Sequence, residues 1–283
     1  MFELKNINKT EKSFGSAELA NHFKNYLLAQ CSIIKGILFE SLDKRIEKIK
    51  IVLASSCNTA TAIVKLCDDE DYFYAEAVML ARAFVEKIVN FCYLLRCEEK
   101  EYDNFIKYTV QKSFRKLNRS ASTNGTKLEM KFNHKINLDE HPALKASLEE
   151  FTSKKGKEIT RWTNKSMEDR INILEKNGDL NVGLFLMDTL SIYEDASEAL
   201  HGTLYGCSFH TWVYEPGIDV KNKDDVKKNT FKKITLLCWQ LGSLLHETIT
   251  IVSKNNEIGD YLKGSSENSK NALEIMKAVM NEK

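Results

Sequence analysis

Two groups of residues in this sequence have the types and spacing to do chemistry. Arg82 and Glu86 lie four apart in ARAFVEKIVNFCYLL, and Tyr193, Ser197 and His201 recur every four residues in SIYEDASEALHGT. On a helix, a step of four returns to the same face. The first pair supplies a permanent cation and a carboxylate; the second stripe supplies a phenol, a hydroxyl and an imidazole. Together they hold the parts for phosphate binding with acid–base chemistry. In that arrangement Arg82 clamps a phosphate, His201 is the general acid/base, and Glu86 orients one or the other. Tyr193 and Ser197 are hydrogen-bonding neighbours, and Glu198 lies beside the stripe.

The same residues support a structural reading. Arg82 and Glu86 sit inside a run that is otherwise apolar, and an ion in such a place must be paired and hydrogen-bonded. A guanidinium has more donors than one carboxylate absorbs. Arg82 therefore needs a second partner, either another element of the chain or an anionic ligand. In the first case the cluster is a polar network that fixes helix packing; in the second it is a site. Both readings stay open at this level.

The elements that must position these groups are helices. The chain has 283 residues, with 43% apolar and 29% charged, an ordinary globular balance. It contains only 2 prolines and 12 glycines, less punctuation than strands and turns need. Apolar residues recur at helical spacing over about 16–40, with Ser16 as N-cap, and further helices are expected over about 42–67, 72–98 and 102–118. The third, bearing Arg82 and Glu86, is apolar on nearly every face, as a helix enclosed by others is. Residues 118–141 are polar, with little helical period, and read as an inserted surface loop.

Pro142 suits the first turn of a helix reaching about Lys155. Another helix closes at Asn177-Gly178, followed by one over about 182–205 that carries the Tyr193 stripe. Gly202 lowers helix propensity, which suggests close backbone approach or room for a ligand. After a loop, the last long helix covers about 226–253. The expectation is an all-α bundle: one domain over residues 1–254, then 255–283 as a loose polar tail with a short helix over about 272–280.

At these residues the sequence resembles the bacterial domain-of-unknown-function family numbered 5677. The resemblance rests on ARAFVEKIVNFCYLL, on Trp162 with the following SM, and on Tyr193, Ser197, His201 and Gly202, over about residues 72–205. It implies a helical intracellular protein with no assigned activity. More loosely the chain is similar to HEPN helical proteins (higher eukaryotes and prokaryotes nucleotide-binding). Many of these are metal-independent ribonucleases of toxin–antitoxin and phage-defence systems, with an Arg and a His four to six residues apart on one helix. This chain departs from that signature, for His201 has no such arginine before it.

Net charge is +1, so no bulk field points to nucleic acid, membrane or an acidic partner. The seven cysteines include no CxxC pair and read as reduced, buried thiols in a cytoplasmic protein. No signal-peptide run opens the chain, and the longest apolar stretch, 234–252, is broken by Gln240, His246 and Glu247. No phosphate loop, dinucleotide fingerprint or HExxH motif occurs, and neither a cofactor nor a metal is expected. His134 and His141 read as exposed loop residues; Trp162, Trp212 and Tyr214 could stack on a base, although aromatics near loops are more often lids on a core. The expected partners are an RNA or nucleotide ligand, under the first reading, or a second copy of the chain or another protein, under the second.

Overall fold

The computed structural model describes residues 13–68, 73–131, 136–178 and 189–281. The chain forms two compact units. One runs up to Leu95 and resumes at Asp169; the other comprises Arg96–Glu168. The architecture is all-α, as expected, and among the described residues strands occur only as one hairpin.

The larger unit opens with α1 (Ala17–Ile37), capped by the Ser16 hydroxyl, which accepts from the Leu19 amide. Next come α2 (Lys44–Leu66), capped by the Asp43 carboxylate, and α3 (Tyr74–Arg96). Along α1, Leu19, Phe23 and Leu27 are fully enclosed, and along α3 so are Ala81, Phe84, Val85, Ile88 and Val89. This apolar stripe is what the spacing of three and four residues provides for. By length and composition alone α2 is long and apolar enough to cross a membrane; here Ile46, Ile49, Leu53, Cys57, Ala60 and Ile63 are buried within the protein.

The smaller unit contains α4 (Glu99–Arg115), then the antiparallel pair β1 (Arg119–Thr123) and β2 (Thr126–Met130), then α5 (Pro142–Glu150), with Pro142 in its first turn. The polar stretch read as a loop over 118–141 is thus partly a fully exposed hairpin. Its turn is Asn124-Gly125, both residues with positive φ (41° and 85°), a geometry that matches the twist of two paired strands. The rest of that stretch includes a short 3-10 turn at Leu138–Glu140; His134 lies outside the described residues. Arg115 ties α4 to the end of α5 through Thr152 Oγ1 (2.7 Å) and the Phe151 carbonyl (3.3 Å).

Back in the larger unit, α6 (Met167–Lys176) ends one residue before Asn177-Gly178, as the sequence suggests. The helix expected over 182–205 differs in form. Residues 179–188 lie outside the described set. A π-helical turn covers Thr189–Tyr193, α7 follows over Glu194–Leu200, and the single turn α8 occupies Leu204–Cys207.

The chain closes with α9 (Lys223–Ser253) and α10 (Gly259–Asn281). The expected loose tail is therefore a 23-residue helix packed on α1 and α9. Its glycines, serines and asparagines are weak helix formers, so packing rather than propensity holds it. Ser265, Ala272 and Met276 are buried, and Ser265 joins Gln30 of α1 (2.7 and 3.1 Å) and His246 of α9 (2.8 Å).

Candidate functional site

On α3, the neighbours Ala81, Phe84 and Val85 take the core positions, which leaves Arg82 and Glu86 on the outward edge of the same helix. Their side chains are 29% and 48% exposed. The cluster expected to be buried is therefore half open to solvent, because a four-residue pair beside a core stripe falls at its border.

The second wall is the π-helical turn and α7. A π turn inserts an extra residue per hydrogen-bonded ring, and its last residue, Tyr193, comes to lie across Arg82. The guanidinium carbon sits 4.8 Å from the ring centroid, within cation–π range. Arg82 Nη1 donates to Ser197 Oγ at 2.9 Å, and its Nε lies 3.5 Å from Glu86 Oε1. The circuit closes through Tyr193, whose hydroxyl donates to the same Glu86 oxygen at 2.9 Å. Burial, then the Glu86 charge, pushes the Tyr193 phenol well above its ordinary pKa, so it stays a protonated donor at neutral pH. Four of the sequence-selected residues thus meet in one place.

The other three do not join them. His201 is exposed at the end of α7, where its backbone amide bonds to the Ser197 carbonyl (3.0 Å); its ring makes no hydrogen bond to any described residue. Glu198 turns away, and its carboxylate accepts from Thr203 Oγ1 at 2.6 Å. Trp162 belongs to the smaller unit, where its ring packs edge-on against Phe105 with centroids 5.2 Å apart.

Local backbone chemistry explains the fate of His201 and Glu198. Gly202 has φ of +65°, the left-handed conformation that ends a helix, and a side chain built there would meet open space. Its place is set by conformation, and the close backbone approach read from sequence is not made there. The close approach occurs at Gly206, where a Cβ would fall 2.2 Å from the Glu198 carbonyl carbon. Thr203 caps α8 by accepting from the Gly206 amide (3.1 Å) while donating to Glu198. Glu198 is consumed in folding α8 back onto α7.

Some residues near the site were not legible in the sequence. Arg170 of α6 bonds Asn90 of α3, and its charge opposes the rise in the Tyr193 pKa. Asp195, on another face of α7, has its pKa raised by burial, with Glu215 and Glu194 adding and Lys233 opposing. Trp212, at φ +56°, is 2% exposed between Phe209 and Tyr74 and donates its indole N–H to Thr230 (2.8 Å). It is a core lid, whereas Tyr214 is 54% exposed. His246 is hydrogen-bonded to Ser265, away from the cluster. Among the described residues no group of His, Cys, Asp and Glu side chains is placed to hold a metal ion.

A family model described as Family of unknown function (DUF5677) matches residues 37–215, a wider span than the motif residues alone cover. No curated protein and no solved structure matches the chain.

Proposed function

The chain belongs to the family of unknown function DUF5677, and from its own residues we propose that it is a non-catalytic helical module that binds a protein partner or a second copy of itself. In this reading the Arg82–Glu86–Tyr193–Ser197 circuit locks the π turn and α7 onto α3. The observation that carries it is the engagement of Arg82 by Ser197, Glu86 and the Tyr193 ring, together with the detached, exposed His201. A clamp already engaged within the chain by a hydrogen bond, an ion pair and a ring contact, and which lacks an attached acid/base, favours structure over turnover. The locked helix and the stretch that follows it present Leu200, Leu204, Val213 and Tyr214, which are 59%, 79%, 50% and 54% exposed. Large apolar side chains concentrated on one short stretch support a binding surface. We place the protein in the cytoplasm, on the reading of its cysteines as reduced thiols; those described are free, and all but Cys207 are buried.

A second reading keeps the cluster as a site for a phosphate-containing ligand, with RNA cleavage in a bacterial defence or stress system as its most concrete form. It is favoured by the partial exposure of Arg82 and by His201 lying one helical step beyond Ser197. The defence setting rests on fold-level analogy.

Sedimentation of the wild type and of Leu204→Glu, with RNA and mononucleotide arms on the wild type, separates the two. The binding-module reading expects self-association, or association with a co-purified protein, that Leu204→Glu abolishes. Saturable RNA or nucleotide binding lost in Arg82→Ala would overturn it.

A further inference from the structure

Away from the Arg82 circuit, the larger unit holds a cavity of about 780 Å³ between the N-terminal ends of α3 and α9, floored by α8 and the segment that follows it. Its size falls within the range of sites that take small organic ligands. The lining is predominantly apolar: Phe73 and Met79 from the α3 side, Val220 and Val226 from the α9 side. Lys223 and Lys227, four residues apart on α9, bring two ammonium groups to one wall. Neither has an acidic partner within 4 Å among the described residues, and Glu76 is the acidic side chain of the lining. An apolar chamber with unpaired cations along one wall complements a molecule with an apolar body and an anionic head.

We propose that this cavity binds a single-chain amphiphilic carboxylate, its alkyl chain against Phe73, Met79 and Val226 and its headgroup on Lys223 and Lys227. The proposal does not depend on how the Arg82 cluster is read. A built-in reporter exists: Cys207 lines the cavity, and it is the exposed thiol among the described cysteines, the others being buried.

The test follows alkylation of Cys207 by iodoacetamide, read by mass spectrometry, with dodecanoate added below its micelle concentration. Dodecanoate should slow the alkylation at least tenfold and saturably, while dodecanol and dodecyltrimethylammonium at equal concentrations should not. The Lys223→Gln/Lys227→Gln double variant changes only exposed lysines, and it should raise the half-protecting concentration tenfold or more. Met79→Trp, which fills the chamber, should abolish protection, with the helical circular-dichroism signal of each variant confirming its fold. Absence of protection in wild type overturns the proposal. So does equal protection by the neutral or cationic amphiphile, or protection unchanged in the folded lysine variant.

Discussion

Arg82 is held by a charged hydrogen bond to Ser197, a cation–π contact with Tyr193 and an ion pair with Glu86. Because the pair is partly exposed, its Coulombic share is small. The hydrogen bond and the ring contact dominate, so Arg82→Ala should lower unfolding free energy by about 2 kcal/mol in urea titration. Arg82→Lys keeps the charge but loses the planar fork, and should recover less than half of that loss. Tyr193→Phe keeps the ring and removes the hydroxyl that bonds Glu86, for a loss of about 1 kcal/mol. His201→Ala, at an exposed helix end, should stay within about 0.5 kcal/mol of wild type. Glu86 was legible as a neighbour of Arg82, and Tyr193 with Ser197 as one face of a second helix, because spacing of four is a property of the sequence; that the two faces meet is a property of the fold. The detachment of His201 was not legible, since it depends on the helix stopping at Gly202.

At the scale of elements, the α7–α8 turn depends on a single close approach. Gly206→Ala would drive a methyl group into the Glu198 backbone, so α8 must move, at roughly 1–3 kcal/mol. Leu204 should then become more accessible to limited proteolysis. The contact of α10 with α1 and α9 carries a pH dependence. Ser265 gives its hydroxyl proton to Gln30 Oε1, so the bond from His246 is donated by Nδ1–H of the imidazole. Burial lowers the His246 pKa below 6.5. The unfolded chain therefore binds a proton first as pH falls, and stability declines from about pH 6.5 downward until the folded-state pKa is reached. Thermal unfolding from pH 7.5 to 5 should show that decline, and His246→Gln should flatten it.

The last helix and the hairpin were not legible in the sequence. The helix over 259–281 was hidden because its first half is Gly-, Ser- and Asn-rich, and its stability comes from partners remote in sequence. The hairpin carried a readable signal, Asn124-Gly125, which the polar, fully exposed strands around it obscured. With every strand residue exposed there is no buried face, and so no alternation to detect.

For the whole molecule, low proline and glycine content with helical spacing sufficed for the all-α class. What it could not supply was which polar residues face one another across helices and how far solvent reaches them. The measurement that tests the central claim most directly is a double-mutant cycle of Arg82→Ala and Ser197→Ala by urea unfolding, repeated with short RNA and mononucleotides. A structural lock predicts a coupling energy of about 1 kcal/mol or more and no ligand-induced gain in stability. Additive losses within about 0.5 kcal/mol, with RNA or nucleotide stabilising only the wild type, would contradict it and make the cluster a binding site.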